Sequence, residues 1–322
     1  MMRCVSCGEA LIDLVRQSGG TSAASPWLGL SAGGPFNTAV GLARLGVETA
    51  LLTRLGSDGL ADQLADHLAA NGVDLSLCPR VDQPTPLAVV SLDRLGRASY
   101  AFHFAQTAAF GWHPQELPAP DPQAWLHLAS IAWVVEPGAT ALRAWLEAGA
   151  EGWGGLSYDL NVRPTVLADP RRYWATVEPL LTAVGRAGGV IKASDEDLSF
   201  LAPATGATGD VAAVAAHWMD RFRPAAVIVT LGADGALAVD RSGEVVRAPG
   251  RRVPVVDTVG AGDSFMAGFL ERRLRQLDAS GAADLGPETL AAALARGTAA
   301  AALTCQRPGA DPPTAAEIDA AG

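Results

Sequence analysis

The chain has 322 residues, of which 49% are hydrophobic and 18% charged, and its formal net charge is −10. This length and apolar content allow one large α/β unit or two smaller domains, and they exclude a disordered or fibrous protein. The acidic balance, with a pI of about 4.9, lacks the basic footprint of a nucleic-acid-binding protein. The sequence has neither a transmembrane-length apolar run nor a secretion signal, so we expect a cytoplasmic protein that does not bind membranes.

The basic residues are unusual, because they comprise a single lysine, Lys192, and 23 arginines. A Walker A phosphate loop requires a lysine followed by Ser or Thr, whereas Ala193 follows Lys192. The protein-kinase pattern requires a strand lysine after a glycine-rich loop, and Lys192 does not meet that pattern. Any nucleotide is therefore expected to bind by a different mechanism.

In chain order, β-rich runs alternate with amphipathic helices. The first run, residues 3–14, contains Cys4 and Cys7, which we expect to be buried as small apolar residues because no second pair of zinc ligands follows. Helices are predicted over residues 31–46, where Pro35 suits the first turn, and over residues 58–71. Further strands are predicted over residues 49–55, 125–128, 155–159, 189–192, 225–230 and 236–240. This alternation predicts a mostly parallel sheet with helices on both faces.

One stretch interrupts the alternation. Strands predicted over residues 87–92 and 99–104 flank Asp-Arg-Leu-Gly at residues 93–96, which is typical of a hairpin turn. A hairpin inserted into an α/β chain is expected to stand off the main sheet. We therefore expect one domain over residues 1–322, with a small β lid built from about residues 14–30 and 85–110.

The most informative motif is Asp-Thr-Val-Gly-Ala-Gly-Asp-Ser-Phe at residues 257–265, which leads into a helix predicted over residues 266–274. The two glycines let the backbone turn and direct its N–H groups at one point, and the helix N-terminus adds a positive dipole. This combination binds an anion without a lysine. Asp263 beside it suits a general base, although a carboxylate in a first helical turn is also a common stabilising feature.

A second candidate site begins at Ala32-Gly33-Gly34-Pro35-Phe36-Asn37. Glycines before a helix let a ligand approach the backbone, and the Asn37 amide both donates and accepts hydrogen bonds, as a sugar hydroxyl requires. Asp13, which follows the first apolar run, can accept from further hydroxyls. An Asn near a helix start is also a common cap.

Together these motifs resemble the ribokinase-like (PfkB) carbohydrate kinases, and Gly-Glu-Ala-Leu-Ile-Asp at residues 8–13 is most similar to fructokinases. Further matches, in the family's order, are residues 159–164, 192–198, 229–235 and 309–310. The resemblance implies a ribokinase-like three-layer α/β sandwich with a small β lid. It also implies phosphoryl transfer from ATP to a small sugar, with fructose as the first choice. Ribose, 2-keto-3-deoxygluconate or a nucleoside remain alternative acceptors, and a catalytically retired sensor of sugar or nucleotide is an alternative of another class.

The resemblance also implies a role for each matching residue. Asp263 would be the general base, and the backbone N–H groups of Gly260, Ala261 and Gly262 would form an anion hole for the transferring phosphoryl group. The expected sugar-binding residues are Asp13, Gly33, Asn37, Phe102 and Arg163, and the expected ATP-binding residues are Ser194, Thr230, Gly232, Gly235 and Thr258. Asp197 and Glu196 would hold Mg²⁺ through water. A monovalent cation such as K⁺ and a homodimer through the lid are further expectations from the family.

Two positions depart from the family pattern. Ala32 replaces the first of two paired glycines, and Ser194-x-x-Asp197 replaces an Asn-x-x-Glu motif. The shorter Asp197 carboxylate can still reach Mg²⁺ through water. Arg163 suits either neutralisation of a phosphate or a surface salt bridge.

Overall fold

The structure is a computed structural model that describes residues 1–21, 23–92, 98–280 and 285–321. Within these ranges, eight strands form a large sheet in the spatial order β12 (Val245–Pro249), β11 (Gly235–Asp240), β10 (Ala226–Thr230), β9 (Val190–Ser194), β8 (Gly155–Asp159), β7 (Ala124–Ala129), β1 (Arg3–Cys7) and β4 (Thr49–Leu52). The strands from β10 to β4 run parallel, and β11 and β12 are antiparallel. The predicted α/β architecture with a mostly parallel central sheet is confirmed.

Helices cover both faces of this sheet. They are α1 (Gly34–Arg44), α2 (Gly59–Ala70), α3 (Gly138–Gly149), α4 (Pro170–Arg186), α5 (Asp195–Thr205), α6 (Val211–Phe222), α7 (Ala261–Ser280), α8 (Pro287–Thr304) and α9 (Ala315–Ala320). Alternate strand residues point to opposite faces, so Cys7 is buried in the cluster that includes α3, α4 and α6, and Cys4 in the cluster that includes α1, α7 and α8. Both thiols are buried as small apolar groups, as expected. Within the described ranges, every helix is too short or too polar to cross a bilayer.

Four further strands form a small sheet, in the spatial order β3 (Trp27–Ala32), β2 (Leu11–Arg16), β5 (Leu87–Leu92) and β6 (Ala98–His103). The prediction of a single strand over residues 3–14 is wrong, because the chain turns at Gly8 and enters the second sheet. A Cβ atom at Gly8 would lie 2.7 Å from Cγ of Pro35, so α1 packs directly against this turn. The predicted hairpin turn at residues 93–96 lies outside the described residues. The single domain with a lid stays a prediction.

The two faces of the small sheet differ. The strand register places Asp13 opposite Leu30 and Ala88, and Ala88 opposite Phe102, so these four side chains share one face. The other face, which carries Ile12, packs on Leu64 of α2, and Gln63 of the same helix donates a hydrogen bond to the Gly29 carbonyl at 3.0 Å. The face that carries Asp13 and Phe102 is therefore directed away from α2.

Candidate active site

The first turns of α1 and α7 meet at the carboxyl ends of the central strands. Nδ2 of Asn37 donates to Oδ2 of Asp263 at 2.8 Å, although the two residues are 226 positions apart in the sequence. The hydroxyl of Thr38 donates to the Asp263 main-chain carbonyl at 3.5 Å. Helix α7 begins before the predicted residue 266, so Asp263 lies in its first turn. The fold thus joins the two motifs that the sequence singled out.

Asp263 is only 8% exposed. Burial raises its pKa to about 6, and the Asp159 carboxylate adds to this effect, whereas the hydrogen bond from Asn37 and the charges of Arg163 and Lys192 oppose it. At neutral pH the ionised form therefore predominates, and its proton affinity is above that of an ordinary aspartate. These are the properties of a general base.

The glycine turn before Asp263 is tightly packed at Gly260 and lies close to Lys192 at Gly262. Gly260 has φ +76°, and a Cβ atom there would lie 2.6 Å from Cβ of Ala310. A Cβ atom at Gly262 would lie 3.3 Å from Nζ of Lys192. The Ala261 N–H donates to the Thr258 carbonyl at 3.2 Å, which closes the turn. The helix N-terminus and the Lys192 ammonium group contribute positive charge beside this turn, and the Asp159 and Asp263 carboxylates contribute negative charge. The anion hole itself stays a prediction.

Sequence reasoning used Lys192 to exclude known phosphate loops and included it in a family match, but it assigned the side chain no role in the site. Nζ of Lys192 lies 2.9 Å from Oδ2 of Asp159, and both side chains are buried. Burial alone would lower the pKa of Lys192, but the Asp159, Asp197 and Asp263 carboxylates raise it, so the ammonium group stays charged. The second oxygen of Asp159 is buried and has no hydrogen-bond partner among the described residues. The sequence signal that could have identified Lys192 is the resemblance of residues 192–198 to the PfkB family.

The glycines before α1 are required by close backbone contacts. Gly33 has φ +124°, and a Cβ atom there would lie 2.4 Å from the Glu9 carbonyl oxygen. A Cβ atom at Gly34 would lie 2.9 Å from Nδ2 of Asn161 and 3.4 Å from Oδ1 of Asp263. The absence of side chains at both positions therefore lets the start of α1 pack directly against the Glu9 backbone and beside Asn161 and Asp263.

The small sheet contributes Asp13 and Phe102. Burial raises the pKa of Asp13 to about 6, and the nearby charge of Arg163 opposes this shift. The same guanidinium group acts on Asp159 and Asp263, so Arg163 links the two sheets electrostatically. The ring of Phe102 contacts that of Phe104, with centroids 4.8 Å apart. The sugar-binding roles of these residues stay predictions.

Ser194 and Asp197 cap the start of α5. The Ser194 hydroxyl accepts from the Asp197 N–H at 3.0 Å, and the Asp197 carboxylate accepts from the N–H groups of Ser194 at 2.8 Å and Val162 at 2.9 Å. Glu196 is exposed. No cluster of three or more metal-ligating side chains occurs in the part of the chain that the structure describes. Both Asp197 oxygens thus have backbone partners, and contact with a metal through water stays a prediction.

The expected nucleotide residues lie along the neighbouring strands. Thr230 ends β10 and is paired in register with Ser194 of β9. Gly232 and Gly235 follow Thr230, and a Cβ atom at Gly235 would lie 2.2 Å from the Ala248 carbonyl oxygen. Thr258 does not follow these strands but lies in the turn before α7. The structure therefore aligns Thr230 and Ser194 at the carboxyl ends of β10 and β9, and β9 is the direct neighbour of β8, which ends at Asp159.

Comparisons with known proteins match a region of the chain that includes both sheets. Residues 1–317 match the pfkB family carbohydrate kinase. The fructokinase of Rhizobium leguminosarum bv. trifolii is 36% identical over 268 residues, which are 82% of this chain and 77% of that protein. A double mutant of the Vibrio cholerae O395 fructokinase, in a form with bound fructose, ADP and potassium ion, has a TM-score of 0.83 at 30% identity and covers 99% of this chain and 98% of that chain. The Xylella fastidiosa fructokinase with bound ATP has a TM-score of 0.85 at 28% identity, over 99% of this chain and 97% of that chain.

Proposed function

Because this chain belongs to the pfkB family of carbohydrate kinases, we propose that it transfers the γ-phosphoryl group of ATP to a hydroxyl group of fructose. The observation that carries the chemistry is the buried Asp263, which Asn37 holds in the first turn of α7. The choice of fructose is supported by the fructokinases among its relatives, one of which has fructose bound.

In the proposed reaction Asp263 accepts the proton of the attacking sugar hydroxyl. The hydroxyl oxygen forms a bond to the γ-phosphorus, the bond from that phosphorus to the β,γ-bridging oxygen breaks, and ADP leaves. The electron pair of the broken bond stays on ADP, and the proton stays on Asp263 until it passes to solvent. A base with a pKa of about 6 is ionised before the reaction at neutral pH and accepts the proton as the new bond forms.

The charge of the transferring group would lie at the glycine turn. The N–H groups of Gly260 and Gly262, the dipole of α7 and the Lys192 ammonium group would supply positive potential there. The Ala261 N–H, which donates to the Thr258 carbonyl, would have to leave that hydrogen bond to join them. Phosphoryl transfer needs mainly positioning and charge neutralisation from a protein. Arg163, one of the expected sugar-binding residues, would place its guanidinium group near the transferring phosphoryl group and neutralise part of its charge.

The sugar would lie between the two sheets. The Asp13 carboxylate and the Asn37 amide would bind its hydroxyl groups, and Gly33 would contribute its main chain to the same site. Phe102 shares a sheet face with Asp13 and would contribute to the choice of sugar.

The nucleotide would occupy the adjoining edge, formed by Ser194, Thr230, Gly232, Gly235 and Thr258. Mg²⁺ prefers oxygen ligands and water, and the donors available to it are Glu196, Asp197 through water, and the unpartnered oxygen of Asp159. When bound, the ion would neutralise charge on the ATP phosphates. The potassium ion in the Vibrio cholerae relative supports a monovalent cation as a further component.

Two broader properties are also proposed. A homodimer through the small sheet is supported by β3, an edge strand on which Leu28 is 47% and Leu30 38% exposed. We place the enzyme in the cytoplasm, where ATP is available and where the four cysteines, all unpaired, would stay reduced.

The experiment for the proposed function measures ADP release with MgATP and a panel of acceptors: fructose, ribose, 2-keto-3-deoxygluconate and nucleosides. We expect the largest kcat/KM for fructose. A larger kcat/KM for another acceptor would identify that acceptor as the substrate in place of fructose. The absence of turnover on every acceptor would favour a catalytically retired sensor of sugar or nucleotide.

A further inference from the structure

Glu9 is a buried carboxylate to which no role has been given. It lies in the turn between β1 and β2 and is only 1% exposed. Its Oε1 accepts from the Gly34 N–H at 3.3 Å, and its Oε2 accepts from the Ala132 N–H at 3.1 Å. The Ser130 side chain is a third hydrogen-bond partner. One carboxylate thus joins the start of α1 to the turn that follows β7.

Both of these segments border the candidate active site. Gly34 is the first residue of α1, and a Cβ atom there would contact Asn161 and Asp263. Ser130 has φ +65°, a left-handed conformation that is unfavourable for a residue other than glycine and must be held by its surroundings. A displacement of Gly34 would also displace Asn37, because the two belong to the same helical turn. The position of the sugar-binding segment therefore depends on what fixes Gly34 and Ser130.

We infer that Glu9 is a positioning residue for the sugar site, which holds the start of α1 and the Ser130 turn at the distance that sugar binding requires. This inference rests on the proposed function, because it assigns Gly33 and Asn37 to the sugar. Glu9 acts through the backbone and has no contact with the reacting atoms. Its loss weakens the affinity for sugar and leaves the affinity for ATP unchanged.

The ionised form is the one that performs this task. A carboxylate accepts hydrogen bonds at both oxygens, whereas a protonated carboxyl or an amide directs a donor at one of the two N–H groups. Burial raises the pKa of Glu9 to about 7, and its hydrogen-bond donors partly oppose the shift. The titratable groups around it are Cys7, Tyr158 and Tyr173, whose pKa values burial raises, so they stay neutral at physiological pH.

The test compares Glu9→Gln with Asp240→Asn. Asp240 is also a buried carboxylate that accepts from backbone N–H groups, those of Ser242 and Glu244. It is paired with Ala226 at the start of β10, so it lies at the opposite end of the sheet from the site. For Glu9→Gln we expect the KM for fructose to rise about tenfold, equivalent to ~1.4 kcal/mol, with the KM for ATP within about twofold of the wild type. For Asp240→Asn we expect both KM values to stay unchanged.

An unchanged KM for fructose in folded Glu9→Gln, or equal increases in both KM values, would overturn the inference. If the wild type phosphorylates fructose and Glu9→Gln behaves like it, the inference alone fails. If the wild type does not phosphorylate fructose, the proposed function fails, and the same comparison is made on the affinity for whichever acceptor is active.

If Glu9→Gln does not fold, the pH dependence of the fructose KM replaces it. We expect this KM to rise as the pH falls through about 7, while the KM for ATP stays flat. The same profile is measured for the Asp13→Asn variant, because the pKa of Asp13 is raised to about 6 and its titration could otherwise account for the change in KM. A fructose KM that does not change across this range in either protein would overturn the inference.

Discussion

The first turn of α7 carries the proposed general base, and the small sheet carries proposed sugar-binding residues. The two regions differ in how far their side chains are buried. Asp263 is almost fully buried and bonded to Asn37, with Lys192 nearby. The small sheet exposes large parts of Leu28 and Leu30 on the face that carries Asp13. The phosphoryl-transfer side is thus assembled by the fold itself, whereas the sugar side has an apolar face that is left open. We expect substitutions at α7 to reduce kcat and substitutions on the small sheet to change KM or association.

Asp263→Asn gives the largest expected effect. Loss of a general base lowers kcat by about 10²–10⁴-fold, because the amide cannot accept the proton. The fold should persist, since burial disfavours the charged form that this substitution removes. The measurement is kcat with saturating fructose and ATP, with the melting temperature as control. A variant that keeps more than about a tenth of the wild-type kcat would rule out Asp263 as the base.

Gly262→Val comes next. The first added carbon would lie 3.3 Å from Nζ of Lys192, and the two methyl groups would crowd the anion hole. We expect kcat to fall about 100-fold, the size of effect seen when one oxyanion donor is lost. Gly59→Val is the matched control, because Gly59 also lies in the first turn of a helix and a Cβ atom there meets open space. Similar activity in the two variants would contradict the predicted anion hole.

Asp13→Asn tests the small-sheet side. A hydrogen bond from a hydroxyl to a charged acceptor contributes about 1.5–3 kcal/mol, so the KM for fructose should rise roughly 10–100-fold with little change in the KM for ATP. The exposed Asp66 of α2 provides the control variant, Asp66→Asn. A lower kcat without a change in the fructose KM would contradict a role of Asp13 in sugar binding and indicate a role in the phosphoryl-transfer step.

The smallest effect on turnover is expected from Leu28→Ser combined with Leu30→Ser. If the exposed apolar face of β3 joins two copies of the chain, this double variant should sediment as a monomer and keep kcat within about twofold of the wild type. Val245→Ser is the control, since Val245 is an exposed apolar residue on the edge strand of the large sheet. A wild-type protein that sediments as a monomer at all concentrations would refute the homodimer.

Local chemistry was enough to predict several elements. Pro35 lies in the first turn of α1, and the predicted helix over residues 58–71 appears as α2, where the Asp58 side chain accepts from the Ala61 N–H at 2.9 Å. Strands β3 and β12 were missed. In β12 buried and exposed residues alternate over only five positions, and in β3 only one of six residues is buried, so neither gives a strong apolar signal before its partner strand is known.

The site was predictable only as separate motifs. The contact between Asn37 and Asp263 spans 226 residues, and the ion pair between Asp159 and Lys192 depends on the register of β8 with β9. Glu9 belonged to a recognised motif, but its partners are backbone N–H groups on two other segments, which leave no pattern in the sequence.

The most direct test of the central claim, that Asp263 is the base of a sugar kinase, is the pH dependence of kcat at saturating fructose and ATP. A base must be ionised, so kcat should be constant above a pH of about 6 and fall about tenfold per pH unit below it. The Asp13→Asn variant should keep this acid limb, which separates Asp263 from the other carboxyl group with a pKa of about 6. A kcat that stays constant down to a pH of about 5 would contradict the account.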